Sequence, residues 1–344
     1  MNSILLDTLA GKKQEKLPIW FMRQAGRYLP EYQELRKKHK LRTLMETPEF
    51  SFEITMQPIR RYDFDAAIIF ADILTPIKYM GFDFGFLEGV GPKIFNNIKD
   101  VKDIHNIDFK EIPKDDPTLN AIKITSDELK KINKPLIGFS AAPFTLSSYL
   151  IEGGSVKNLH NTRKLMLYNE SEFLLLQEKL TIMIIDYLDK QILSGASVVQ
   201  VFDSWLGILS PSLYNKFAKP FLMKIQTCLK EKHPNTPLVF FSTQSAGMFS
   251  LLDKLKFDCL GVDWRTNLSK AETNSPNTKV LQGNLDPIIL TGPKEVLEIE
   301  VERILNMIRS MKKNIVFNLG HGILPFTPTE NVDLVIKMVK AFSK

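Results

Sequence analysis

Short, nearly continuous apolar runs recur along this chain. Each ends in polar or small residues and is followed by a longer stretch with helical spacing. The runs cover 17–22, 66–71, 135–139, 197–202, 237–241, 259–262, 279–282 and 315–319. Apolar residues on consecutive positions suit strands covered on both faces, as in a parallel sheet whose crossovers are helices. Helical patterns fill most of the gaps, for example 161–193, 213–229 and 293–311. Eight strands alternating with helices predict an α/β fold, a (β/α)8 TIM barrel formed as one domain over residues 1–344. A doubly wound open sheet is the alternative, weakened because no Gly-x-Gly-x-x-Gly follows the first run. Between the second and third runs, Gly81-Phe82-Asp83-Phe84-Gly85-Phe86 and Lys93-Ile94-Phe95 predict a hairpin inserted after the second strand. Its phenyl rings serve either as a lid over a site or as local packing.

The residues that end the runs add a second signal. They are Arg23, Asp72, Ser140, Asp203 with Ser204, Ser242, Asp263, Asn284 and His321. In a barrel the carboxyl ends of all strands open on one face, where sites are built, so these side chains are expected to converge.

Composition narrows the classes of partner. With 44% hydrophobic residues in 344 there is ample material for a core. The net charge of +6 is moderate, and basic stretches such as Glu34-Leu35-Arg36-Lys37-Lys38 read as solvated helix faces rather than a nucleic-acid surface. Such a field still favours a small anionic ligand. The two cysteines, Cys228 and Cys259, stand far apart with no Cys-x-x-Cys, which argues against a disulfide scaffold or a thiolate zinc site and fits a reducing cytoplasm. The first residues lack a basic stretch before an apolar one, and no apolar run is long enough to span a bilayer.

The sharpest chemistry lies in Met22-Arg23-Gln24-Ala25-Gly26-Arg27, directly after the first run. A guanidinium is planar, permanently charged and binds carboxylates through two parallel hydrogen bonds, so two close arginines suit a polycarboxylate. If the turn is helical, their spacing of four puts both on one face. Each could instead pair with an internal carboxylate. Asp72 closes the second run and is either such a partner or an acceptor for ligand N–H groups. Tyr149 lies one turn beyond Thr145 on a helix opened by Pro143, as a core tyrosine or a ligand hydrogen-bonder. Ser204 has no Gly-x-Ser-x-Gly elbow and reads as a hydroxyl donor rather than a nucleophile. His321 stands between Gly320 and Gly322, which leave its ring approachable.

The segments 22–27 and 138–153 resemble the two signature motifs of uroporphyrinogen decarboxylases. Phe70-Ala71-Asp72-Ile73-Leu74, Phe202-Asp203-Ser204-Trp205, Gln282-Gly283-Asn284-Leu285-Asp286-Pro287 and Asn318-Leu319-Gly320-His321-Gly322 extend the likeness over nearly the whole chain, in family order. The resemblance implies a (β/α)8 barrel, usually a homodimer, working without metal or organic cofactor. It implies loss of CO2 from the four acetate arms of uroporphyrinogen III to give coproporphyrinogen III in porphyrin and haem biosynthesis. By motif position it makes Arg23, Arg27, Asp72, Tyr149, Ser204 and His321 substrate-site residues, with Gln24, Ala25 and Gly26 inside the first motif. Among these, Arg23, Arg27 and Asp72 are the catalytic candidates. The implied partner is a polycarboxylate tetrapyrrole, with no nucleic acid or membrane. The sequence departs from the family pattern at 241–247, where relatives are richer in glycine and carry a lysine, and at Leu206, where alanine is common. A corrinoid-linked methyltransferase and a non-catalytic tetrapyrrole carrier are the competing classes. The first needs a zinc-activated thiol and hence a His/Cys cluster.

Overall fold

The computed structural model describes residues 3–343 apart from 88, 90, 156 and 157. Seven parallel strands form one sheet: β1 (Ala67–Ile68), β4 (Leu136–Ala141), β5 (Val198–Asp203), β6 (Leu238–Ser242), β7 (Cys259–Gly261), β8 (Val280–Leu285) and β9 (Asn314–Leu319), neighbours in that order. Between β1 and β4 in the chain, β2 (Phe84–Leu87) and β3 (Gly91–Ile94) pair antiparallel, with Phe84 opposite Ile94 and Leu87 opposite Gly91. Every residue of β4, β6 and β8 is buried, the consequence of a sheet covered by side chains on one face and helices on the other.

Eight strands were expected, and the first run does not form one. Ile19 makes a single parallel bridge to Phe317 of β9. The reason is that side chains take the donors a ladder would use. The Ile19 N–H donates to Asp65 Oδ2 at 2.7 Å, Phe21 N–H to Gln24 Oε1 at 3.0 Å and Met22 N–H to Asn318 Oδ1 at 3.1 Å. Only Trp20 N–H, to Phe317 O at 3.3 Å, and Phe317 N–H, to Pro18 O at 2.9 Å, join this segment to β9 through backbone. On its other side the link toward β1 is Asp65 N–H to Ile19 O, 2.9 Å. Segment 17–22 therefore closes the ring as a pinned strut.

Inside the ring, buried amides are paired in a relay. Trp20 Nε1 donates to Gln282 Oε1 (3.0 Å), and Gln282 Nε2 donates to Gln200 Oε1 (3.1 Å), so three elements are tied across the interior without an orphaned group. On the outside, the expected helix 161–193 is two helices, His160–Tyr168 and Glu170–Leu193, and 213–229 is likewise two, Pro211–Phe217 and Lys219–Lys232. The second break precedes Pro220, which cannot donate to the preceding turn. Among the described residues, no helix is long and apolar enough to cross a membrane.

Candidate active site

A cavity of about 380 Å³ opens at the carboxyl ends of the strands. Arg23, Arg27, Asp72, Tyr149, Ser204 and His321, which are separated by up to nearly 300 residues in sequence, all line it, as do Ala25 and Gly26. Gln24 does not. Its side chain turns into the fold, accepting from Phe21 N–H and donating to Ala66 O at 2.9 Å. That inward grip has a use, because the next residue upstream is strained.

Arg23 has φ 62°, the left-handed region that costs an L-residue roughly 1–2 kcal/mol. The turn closes with Gln24 N–H on Phe21 O at 3.0 Å, and residues 22–29 contain no helix, so the two arginines do not share a helical face as the spacing suggested. The left-handed step, locked by Gln24, instead aims Arg23 into the cavity. Its side chain crosses Gly322, where a Cβ would lie 2.8 Å from Arg23 Cγ. A glycine is required there to let the arginine pass.

Arg23 lines the cavity and is exposed there. Desolvation lowers its pKa, the neighbouring Arg27 lowers it further, and Asp72 and Tyr149 act in the opposite direction. Among the described residues no ion pair within 4.0 Å engages Arg23, Arg27 or Asp72, so the internal-pairing alternative is not what the structure shows. Two like charges thus face one cavity with no ion pair within 4.0 Å to either among the described residues, an arrangement that suits an anion. Asp72 Oδ1 accepts Leu74 N–H at 2.8 Å, and the Asp72 carbonyl accepts the Thr75 hydroxyl at 2.8 Å, which fixes the carboxylate in the loop after β1. Desolvation raises its pKa, opposed by the Leu74 N–H and by the charges of Arg23 and Lys78. Tyr149 is pushed up by desolvation and then by Asp72, and packs edge-on against Trp205, ring centres 6.3 Å apart. His321 is held down at about 4, chiefly by desolvation and then by Arg23, so its imidazole is neutral at pH 7.

The wall between these polar groups is aromatic. Phe139, Phe202 and Phe241 come from three adjacent strands and meet edge to face, with centres 5.7 and 5.9 Å apart. Sequence reasoning singled out none of them. Their signal was position: each lies within a residue or two of the polar end of its run. Of the hairpin rings, Phe84 is buried against the protein, Phe86 lines the cavity and Phe95 is exposed. The hairpin thus supplies both packing and a piece of the wall. Leu206 is fully buried, and Gln244 at φ 57° donates its N–H to Asp263 Oδ2 at 2.7 Å, which is how the unusual 241–247 segment is held.

Behind Ser204, Asp203 is fully buried. Thr145 Oγ1 donates to its Oδ1 at 2.6 Å and accepts from Trp205 N–H at 3.3 Å, while Asp203 Oδ2 has no protein partner. Desolvation pushes its pKa up to about 7. The folded state keeps a proton that the unfolded chain loses near pH 4, so this group favours folding below that pH, and the benefit fades as pH rises through 7. The full span is worth on the order of 4 kcal/mol. Asp203→Asn keeps an acceptor for Thr145 and removes the titration. The thermal midpoint of the variant relative to the parent is expected to rise between pH 5 and pH 8; parallel curves over that range would exclude the assignment. His321 contributes the opposite slope, lost as pH falls from 6.5 through 4, and cancels in the difference between the two proteins.

Among the described residues no group of three or more His, Cys, Asp and Glu side chains is gathered as a metal site needs. Comparison with known proteins is specific. The family model for uroporphyrinogen decarboxylase matches residues 1–342. Proteins named uroporphyrinogen decarboxylase are 40% identical in Thermodesulfovibrio yellowstonii, over 99% of this chain and 98% of that one, and 40% identical in Geobacter sulfurreducens, over the whole of both. The Staphylococcus aureus protein of that name is 38% identical over 100% of this chain and 98% of its own. Among solved structures, a methyltransferase from Methanosarcina mazei superposes with a TM-score of 0.78 at 19% identity, covering 98% of this chain and 96% of the other. At that identity the likeness concerns the fold alone.

Proposed function

This chain belongs to the uroporphyrinogen decarboxylase family, and on that premise we propose that its cavity binds uroporphyrinogen III and converts its four acetate arms to methyls, giving coproporphyrinogen III. The observation that carries the reading is the pair of arginines with no ion-pair partner, with Asp72 in the same cavity, all on an aromatic wall. A porphyrinogen is an apolar macrocycle ringed by carboxylates, with pyrrole N–H donors at its centre. The phenyl wall suits the macrocycle, Arg23 and Arg27 suit the carboxylates, and Asp72 suits the N–H groups.

The electron sink is the substrate itself. Protonating a pyrrole at the ring carbon adjacent to the one bearing the acetate arm makes a cation whose positive charge is shared by the arm-bearing carbon. The bond to the carboxylate then breaks, CO2 leaves, and its electron pair forms an exocyclic double bond that neutralises the ring. The methylene takes up a proton to become methyl, and the ring carbon releases its own. Asp72, accepting pyrrole N–H bonds, stabilises the cation as it develops. Tyr149, Ser204 and neutral His321 orient the remaining arms, and Ala25 and Gly26 supply backbone close to the ligand. Arg23 and Arg27 act as binders. A guanidinium pKa remains far above neutrality and makes a poor general acid. Gln24 supports Arg23 from behind.

The reading extends to one catalytic domain over 1–344 and to the cytoplasmic homodimer that the family resemblance implies. Purified protein incubated anaerobically with uroporphyrinogen III is expected to release four CO2 per molecule and to yield the tetracarboxylic product, read by chromatography after oxidation to porphyrins. Tight binding without CO2 would favour a carrier instead, and failure of both would remove the reading.

A further inference from the structure

Beyond the cavity stands a third arginine that is held in place with unusual care. Asp263, fully buried at the end of β7, accepts Gln244 N–H at 2.7 Å, Thr266 Oγ1 at 2.8 Å and Arg265 Nη1 at 3.2 Å. Asn284 Nδ2 donates to the carbonyls of both Asp263 (2.9 Å) and Thr266 (2.6 Å), so the turn carrying Arg265 is tied at each end. The guanidinium carbon lies 3.7 Å from the centre of the Trp264 ring, and that ring meets His321 edge-on, centres 5.9 Å apart at 83°. Arg265 therefore stands one indole beyond a cavity residue, and its charge helps keep the His321 imidazole neutral.

The ion pair with Asp263 does not account for this arrangement. Asp263 already has two shorter donors, and the Arg265 side chain keeps 46% of its surface open to solvent. Stacking and a single hydrogen bond fix the plane of the fork and leave most of its N–H donors free. A guanidinium with its plane set and its donors outward is ready for one carboxylate, since little side-chain freedom is lost on binding.

We propose that Arg265 is a docking point at the cavity mouth for one propionate carboxylate of the porphyrinogen. The inference rests on the substrate reading above. That substrate carries eight carboxylates, and among the described residues only two arginines line the cavity. A reacting acetate must lie near Asp72, inside. Arg265 is not among the cavity-lining residues and stands beyond Trp264 and His321, a position that suits the longer arm, and propionates survive every turnover. Its contribution is to affinity and orientation, with none to the bond-breaking step.

Arg265→Gln retains a donor for Asp263 and removes the charge. With the octacarboxylate uroporphyrinogen and with a heptacarboxylate porphyrinogen, KM is expected to rise about tenfold for both, with kcat within about twofold of the parent. Equal effects follow because both substrates keep all four propionates. A KM within twofold of the parent overturns the proposal. So does a fall in kcat alone, or a KM effect confined to the octacarboxylate, which would mean an acetate partner. Should the Gln variant lose its thermal transition, Arg265→Lys decides: it keeps the charge but loses the fork and the stack, and KM should rise about threefold, an unchanged KM again overturning the idea. Parent protein that releases no CO2 sinks the substrate reading, whereas an active parent with an unaffected Arg265→Gln sinks only the docking role.

Discussion

Asp72→Asn is expected to lower kcat for uroporphyrinogen III by roughly 10³-fold, at the upper end of the loss caused by removing one pre-oriented electrostatic partner of a transition state. Asparagine keeps the shape and keeps an acceptor for the Leu74 N–H that Asp72 Oδ1 now holds at 2.8 Å, so the loop after β1 should stay as it is. What disappears is the negative charge facing a cation that exists only during reaction. The ground state contains neutral pyrroles, so KM should move much less than kcat. Product formation by chromatography, with a thermal melt as the folding control, separates the cases. Turnover within tenfold of the parent would show that Asp72 does not stabilise the reacting ring. A KM rise with kcat preserved would make it a binder only.

Gly320→Ala should have the largest effect on folding. A Cβ at 320 would lie 2.7 Å from Trp264 Cα and 2.8 Å from its Cβ, with the Trp264 backbone nitrogen nearer still. Backbone cannot yield as a side-chain tip does, and the Trp264 turn is tied on both sides by Asn284. Overpacking of this kind costs ~3 kcal/mol or more and should lower the melting temperature by several degrees. Gly247→Ala is the matched control, since a Cβ there meets nothing within 4 Å. If the two variants melt together, the close approach of β9 to the Trp264 turn is not as described.

Most of the ring was legible because its strands are buried on both faces, and that condition writes itself as consecutive apolar residues, as in Leu136–Ala141 and Val280–Leu285. Arg23, Asp72, Ser204 and His321 were legible for a related reason: a polar residue abruptly ending such a run must face a cavity or a partner. The first run misled because its fate was decided by residues remote in sequence. Asp65 and Asn318 capture N–H groups that a ladder would otherwise have used, and periodicity holds no record of that. The helical spacing of Arg23 and Arg27 misled similarly, since the left-handed step at Arg23 is enforced by Gln24 reaching to Ala66. Arg265 was invisible. Its distinction is the plane in which Trp264 and Asp263 hold it, and no one-residue signal carries that.

The strut at 17–22 has a bearing on how the empty protein breathes. It meets β9 through two backbone hydrogen bonds and the Met22 N–H on Asn318, and the β1 side through Asp65, so side chains stand in for most of a ladder there. Arg23 is the next residue after it. On the proposed function, a polyanion bridging Arg23 and Arg27 to the opposite wall would act as a hoop around that stave. Occupancy of the cavity and closure of the barrel would then be linked, each favouring the other.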